Sequence, residues 1–406
     1  MPVFGPTTNF SVIDPNTNQP QDLGSRYVSK SYLLDFYPNI VPANTEPGLW
    51  TFGANNSGQL AQNNQTYFSS PVQVGSLNTW KQVACGYAFS MAIKTDGTLW
   101  SWGQNNNGQL GNGTIVNYSS AIQVGSLNNW KQVACGTSHV LAIKTDGTMW
   151  SWGNNSFGQL ANGANTVNYS SPVQIGSLTN WLQVSAGQNF WAAVRADGTL
   201  WSCGYSGSGQ LGNNTNGFNA RYSSPIQVGS LTSWKQVACG YAFTAAIQQN
   251  NTMWCWGSNA NGQLGQGNPA YYSSPVQVGS MTNWRFVGAV QQTWLSVKTD
   301  GSLWSCGYGF NGELGNNVAF SPGYSSPIQI GNLSNWKSVG TGGTANTVGA
   351  IKTDGTLWTW GKGLAGQGGV SYTGNYYSPV QVGSNNSWKS VGMGQTFTAA
   401  IADGYI

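Results

Sequence analysis

Apolar and polar positions along this chain fall into short alternating runs that recur with a long period. Trp80-Lys-Gln-Val-Ala-Cys85, Phe89-Ser-Met-Ala-Ile-Lys94, Thr98-Leu-Trp-Ser-Trp102 and Ser120-Ala-Ile-Gln-Val124 form one unit. Each run has the length of a strand, and the second carries small and apolar residues at consecutive positions, which implies burial on both faces. Asp96-Gly97 is a two-residue hairpin signal, because both positions must accept positive φ. A turn-rich loop from Gln104 to Gly113 leads to the fourth run. No segment sustains a 3.6-residue period, which excludes a helical solenoid.

The unit repeats. Trp recurs at 50, 100, 150, 201, 254, 304 and 358, at intervals of 50, 50, 51, 53, 50 and 54. A second series, Trp80, Trp130, Trp181, Trp234, Trp284, Trp336 and Trp388, runs in step. With Trp102, Trp152, Trp256 and Trp360 these account for 18 of the 20 tryptophans. Trp191 and Trp294 fall outside, each just after the slot that Phe89 holds in its own unit. Seven units of four short strands predict an all-β fold, a seven-bladed β-propeller of four-stranded blades. The first unit starts abruptly at Gly48-Leu-Trp-Thr-Phe52, and its missing strands, Trp388–Gly392 and Thr396–Ile401, stand at the far end before Asp403-Gly404. One blade is therefore shared between the N- and C-terminal segments, which pairs edges that are otherwise open to aggregation. The predicted division is a short arm over 1–46 and the propeller over 47–406.

Composition narrows the reading. Charged residues are 6% of the chain, against about 25% in ordinary domains, so Asn, Gln, Ser and Thr must supply the polar surface. No apolar run reaches the ~18 residues of a spanning helix, and MPVFGPTTNF has neither a basic nor an apolar region of a signal peptide. A soluble protein made in the cytosol is expected. Eleven of the fifteen bases follow the repeat: Lys81, Lys131, Lys235, Arg285, Lys337 and Lys389 after the second-series Trp, and Lys94, Lys144, Arg195, Lys298 and Lys352 before the hairpins. The formal charge of +4 is thus spread around the ring and forms no phosphate-tracking patch, so no nucleic-acid partner is expected.

Ala-Cys-Gly-x-x-His/Phe followed by Thr-Asp-Gly-Thr-Leu-Trp-Ser-Trp-Gly-x-Asn-x-x-Gly-Gln-Leu-Gly resembles the repeat of the regulator of chromosome condensation family. Gly103, Asn105, Gly108, Gln109, Leu110 and Gly111 carry the signature, as do Gly257, Asn259, Gly262, Gln263, Leu264 and Gly265. The resemblance covers residues 47–406 and implies a seven-bladed propeller. It leaves function open, because propellers of this family serve many partners. Its best-known role implies a nucleotide-exchange factor for a small GTPase.

Catalytic chemistry needs convergent titratable groups. His139 occupies a slot held elsewhere by Phe89, Phe190, Phe243 and Phe397, and Glu313 replaces a repeat Gln. Six of the eleven acids, Asp96, Asp146, Asp197, Asp300, Asp354 and Asp403, read as hairpin residues. Cys85, Cys135 and Cys239 share one repeat position, Cys203 and Cys306 stand where Trp102 and Trp152 stand, and Cys255 replaces Ser101. Such positions lie apart around a ring, so buried thiols are expected, with no disulfide, metal, cofactor or active site.

Variation between units concentrates in the loop between Gly-Gln-Leu and Tyr-Ser-Ser-Pro. Tyr67, Ile115, Phe218, Arg221, Tyr271, Phe320 and Tyr372 stand there, as partner contacts or as groups folded over blade edges. In the arm, residues up to Gln21 read as extended, and residues 22–38 as a short helix capped at Asp22 or Ser25 and stopped before Pro38. Tyr27, Val28, Tyr32, Leu33, Leu34 and Phe36 give it an apolar face, which docks on its own propeller or anchors to a neighbour. The pattern Asp-Leu-Gly-x-Arg-Tyr-Val-x-Lys-x-Tyr-Leu-Leu…Tyr-Pro-Asn, residues 22–39, resembles the N-termini of propeller-bearing virion proteins of tailed phages of marine cyanobacteria. That resemblance implies a structural component of the particle, docked through its arm on other virion proteins, with the ring free for a host surface glycan or protein. A cellular regulator and a glycan-binding propeller are the other two readings.

Overall fold

The computed structural model describes residues 11–13, 20–22, 47–76, 79–163 and 167–403. The chain divides into two compact units, Met1–Thr45 and Glu46–Ile406. In the first, Ser11–Ile13 and Pro20–Asp22 pair antiparallel, with Ser11 opposite Asp22. The stretch expected to be merely extended is therefore paired, and Asp22 ends a strand. The remainder of the expected helix, with Tyr27, Val28, Tyr32, Leu33, Leu34 and Phe36, lies outside the described residues.

Among its described residues the second unit consists of seven four-stranded antiparallel sheets. Blade 1 joins the two ends of the chain, in the order Trp388–Met393, Phe397–Asp403, Pro47–Gly53 and Phe68–Gln73. The closing register runs from Pro47 opposite Asp403 to Gly53 opposite Phe397. Blade 2 is Trp80–Cys85, Phe89–Lys94, Leu99–Gly103 and Tyr118–Gln123. Blades 3 to 7 start at Trp130, Trp181, Trp234, Trp284 and Trp336. The outer strand of blade 2 begins at Tyr118, two residues before the expected Ser120, because a bulge between Ser101 and Gly103 lets Gly103 pair with Tyr118. Within every blade the chain reverses at each strand. The connections from first to second and from third to outer strand therefore share one face of the ring, the loop face. The hairpins from second to third strand and the blade-to-blade connections share the other.

The second strand of blade 2 is buried at every position, Phe89 to Lys94. It lies between two strands of its own sheet and between two neighbouring blades, which is why small and apolar residues follow one another without alternation. Trp102 sits across from Ser90 and donates its indole N–H to the Gln59 carbonyl of the preceding blade at 2.8 Å. In blade 4 the pair is Trp191 with Cys203, and it is Trp191 that donates to Gln159 at 2.9 Å. Blade 6 exchanges the two residues in the same way, Trp294 opposite Cys306, with the Trp294 indole N–H left without a hydrogen-bond partner. The two tryptophans outside the period thus fill the standard indole site from the neighbouring strand, and the cysteine is the small residue left opposite.

A backbone bond also joins the loop of each blade to the outer strand of the next, among them Gly113 N–H to Ser170 at 2.7 Å and Ser371 N–H to Ser69 at 2.9 Å. Asp403 corrects one expectation. Trp388 pairs with Ala402 as Trp80 pairs with Lys94, so Asp403 matches Thr95 and is not a hairpin aspartate. It bonds Lys389 at 2.5 Å beside the seam between the chain ends. Among the described residues, no helix is long and apolar enough to cross a membrane.

Candidate functional site

Many polar residues of the repeat bond within their own blades. The Asp96 carboxylate accepts the Thr98 N–H at 2.9 Å and the Thr98 hydroxyl at 2.7 Å, and these bonds hold it below the usual carboxylate range. Thr98 Oγ1 in turn accepts the Trp100 indole N–H at 2.9 Å. Lys94 Nζ then lies 3.7 Å from the Trp100 ring centre and 5.0 Å from that of Trp80, a cation–π site closed on both sides. Blades 3, 6 and 7 repeat the cage with Lys144, Lys298 and Lys352, and blade 4 with Arg195. The signature Asn105 accepts Leu110 N–H at 2.9 Å, and Gln109 accepts Asn107 N–H at 2.9 Å, so both shape the loop they sit in.

The candidate reactive groups are buried as well. His139 packs its imidazole against Gly136 in a phenylalanine slot, and burial lowers its pKa to about 4. All six cysteines are free and buried, and burial pushes Cys85 and Cys239 up to about 12. Thiols held protonated in this way are poor nucleophiles. No group of three or more His, Cys, Asp or Glu among the described residues could hold a metal ion.

The first strands of blades 2 to 6 line a central cavity of about 260 Å³. Around it runs a ladder of side-chain amides. Gln82, Gln132, Gln183 and Gln236 each donate to the backbone carbonyl of Val133, Val184, Val237 and Val287 in the next blade, at 2.9–3.1 Å. Each also accepts the N–H of the same valine at 2.9–3.2 Å. Phe286, Ser338 and Ser390 occupy the corresponding positions in blades 6, 7 and 1. The loop after Val339 crosses the cavity from blade 7. Thr341 bridges Gly392 in blade 1, and a Cβ on Gly343 would stand 2.9 Å from the Ala186 carbonyl and 3.0 Å from that of Cys239, in blades 4 and 5. Only glycine fits so near two carbonyls.

The loop face carries the groups that escape the repeat. Tyr67, Phe218, Tyr271, Phe320 and Tyr372 are 48%, 87%, 50%, 63% and 62% exposed, and Ile115 and Arg221 are exposed too. They are distributed over blades 1, 2, 4, 5, 6 and 7 and form no single site. The Tyr67 hydroxyl donates to Asn56, and Tyr372 packs edge-on against Tyr376 at 5.6 Å. Phe320 alone joins a larger group. It meets Phe310 at 5.3 Å and Tyr377 of blade 7 at 6.0 Å, and Tyr308 stacks on Phe310 at 6.3 Å. Sequence reasoning missed Tyr308, Phe310 and Tyr377. The available signal was Tyr308 and Phe310 standing where blade 2 has Gln104 and Asn106. Glu313 lies 2% exposed nearby, its two oxygens accepting the Asn311 N–H at 3.0 Å and side-chain amide at 2.8 Å. Burial raises its pKa, against the pull of those bonds and of Lys362.

The ring geometry agrees with comparison to known proteins. The family model of the RCC1-like domain matches residues 41–348, and that of the regulator of chromosome condensation (RCC1) repeat matches residues 354–401. The chain belongs to the RCC1-like family. Over 100 residues it is 36% identical to the ultraviolet-B receptor UVR8 of Arabidopsis thaliana, and over 77 residues 39% identical to the protein RCC2 homolog of Danio rerio. Those stretches are 24% and 18% of this chain and span only 22% and 15% of the two relatives. Among solved structures, Prp20p of Saccharomyces cerevisiae superposes with a TM-score of 0.78 at 20% identity, over 90% of this chain and 93% of that one. Human WBSCR16 gives 0.76 at 21% identity, over 89% of this chain and 100% of that one. At such identities the RCC1-like likeness is one of fold.

Proposed function

We propose that this RCC1-like chain is a non-catalytic interaction protein, a rigid ring that makes its contacts through its loop face. One observation carries the reading. The bases before the hairpins, the hairpin aspartates and the signature Asn and Gln of the repeat are tied up by contacts within their own blades, whereas the residues that depart from the repeat include exposed aromatic groups on one face. Exposed aromatic side chains are the groups by which rigid scaffolds hold partners. The solved relative Prp20p, described with its binding to Gsp1p and histones, supports a partner-binding role for the fold.

More finely, we infer a structural component of a tailed-phage particle, assembled in the host cytoplasm and held by residues 1–46 to other virion proteins. The sequence pattern of residues 22–39 and the low charge of 6% support this reading. Mass spectrometry of purified particles should find the protein. Removing residues 1–46 should leave thermal unfolding of the ring unchanged and abolish incorporation, because each buried apolar contact of Tyr32, Leu33 or Phe36 is worth ~1.5–3 kcal/mol. A truncated ring that melts at a markedly lower temperature would show that the arm belongs to the ring's own packing. A second reading, a regulator of a small GTPase, draws support from the Gsp1p binding of Prp20p. It predicts accelerated nucleotide release from a GTPase when the protein is added.

A further inference from the structure

Blade 6 stands higher on the loop face than its neighbours. Its third and outer strands, Leu303–Gly309 and Ser321–Gln329, continue past the Gly307–Tyr324 pair to a last pair, Gly309 with Ser321. In blades 5 and 7 pairing stops at Gly257–Tyr272 and Gly361–Tyr376. Phe310 and Phe320 flank the extra pair at 45% and 63% exposure. Phe320 also has a φ of 54°, whereas the other non-glycine residues of positive φ among those described are Ala, Asn or Ser. A bulky residue is strained in that region, and a ring turned largely to solvent gains little packing to offset it. Its contacts with Phe310 and Tyr377 leave most of the Phe320 ring in solvent, so the strained backbone holds an aromatic surface in the open.

The surroundings restrict what the rings can take. Residues 308–324 and 362–377 contain no ionisable groups besides tyrosines, Glu313 and Lys362. Glu313 is buried, and the opposite charge of Lys362 acts on it. A cationic ligand would find no exposed carboxylate in these segments, and the partly exposed Lys362 is the single counter-charge for an anionic one, so ionic recognition has little to work with. The two central rings expose on the order of 200 Å², well short of the ~800 Å² per partner of a stable protein interface. Asn317, exposed three residues before Phe320, and Asn316 beside it carry neutral side-chain amides in the same loop, while the Asn375 amide is already bonded to Asn311 and to the Gly363 N–H at 3.4 Å each. Apolar ring faces bordered by neutral amides complement a pyranose, which has apolar C–H faces and hydroxyls around its edge.

We infer that Tyr308, Phe310, Phe320 and Tyr377 form a carbohydrate site for a neutral oligosaccharide, stacked on Phe310 and Phe320 and hydrogen-bonded by the asparagine amides. The site binds and does not cleave. Glycoside hydrolysis requires two carboxylates flanking the bond, and Glu313 is the single, buried one in these segments. The inference rests on the ring being an interaction platform, yet it fails or stands separately from the anchoring of the arm.

The test uses the full chain on arrayed neutral hexasaccharides (β-1,4-glucan, α-1,4-glucan and mannan), with sulfated forms as charged controls, followed by titration calorimetry. Binding of at least one neutral hexasaccharide with a Kd below about 1 mM is expected. Phe310→Ala and Phe320→Gly should each weaken it at least about tenfold. Phe320→Gly should melt no lower than the parent, since glycine accepts the left-handed backbone. That separates loss of binding from loss of fold. No binding to any neutral hexasaccharide, a preference for the sulfated forms, or affinity unchanged in both variants overturns the inference. So does a dimer of the parent, seen by sedimentation, that Phe320→Gly dissolves, because the occupant would then be a second copy. None of these results bears on incorporation through residues 1–46, which tests the proposed function.

Discussion

Trp191 and Cys203 show how single residues hold this ring together. They face each other across two strands, and in blade 2 the same two places hold Ser90 and Trp102. Trp191→Ser should cost about 3–5 kcal/mol, the usual range for emptying a buried Trp site. Adding Cys203→Trp should restore most of it, because the indole then enters from the other strand as it does in blade 2. Equal destabilisation of the single and double variants in chemical denaturation would refute the exchange. His139 gives a second prediction. Its folded pKa of about 4 lies below the ordinary value of 6.5, so the unfolded chain binds the proton first. Its contribution to stability is whole above pH 6.5 and falls as pH drops towards 4. His139→Phe, the residue of the equivalent slots, should be comparatively more stable at low pH, by up to about 3 kcal/mol at pH 4. A stability difference that stays constant between pH 7 and 4 would contradict this. At this scale the sequence located the repeat residues well, since each recurs. It did not reveal the partners of Tyr308 and Phe310, which are defined by how far one hairpin rises and not by a period.

Strands were the most legible elements, because burial on one or two faces imposes a pattern on consecutive residues. Phe89–Lys94 begins and ends where its apolar run does. Loops were less legible, since what fixes them is the place they reach. Nothing in the run Gly340-Thr-Gly-Gly-Thr-Ala-Asn346 marks the place it reaches, and only the structure shows it meeting blades 4 and 5 across the cavity. The amide ladder was equally hidden, because its bonds join residues about fifty apart, such as Gln132 and Val184. Gln132→Ala removes both bonds to Val184, at 3.1 Å each. The expected loss is about 2 kcal/mol. Ser338→Ala, at the matching place in blade 7, should stay within about 0.5 kcal/mol of the parent. Similar losses in both variants would show that the ladder contributes nothing particular to the ring.

At the scale of the whole molecule, the account depends on closure. Blade 1 takes two strands from each end of the chain, and the seam is a seven-residue register from Pro47 to Gly53. Without the C-terminal pair, the third strand of blade 1 would present an unpaired edge, its apolar Leu49 would lose the cover of Ile401 and Phe397, and Phe52 that of Ala400. The surfaces proposed for partners depend on this seam, because loops of blades 6 and 7 keep their spacing only while the ring is complete. The direct measurement is thermal unfolding and sedimentation of a chain lacking residues 388–406, alone and with the 388–406 peptide added. The account predicts an aggregating chain that the peptide returns to a monomeric complex melting near the parent temperature. A soluble monomer that unfolds at the parent temperature without the peptide would contradict it.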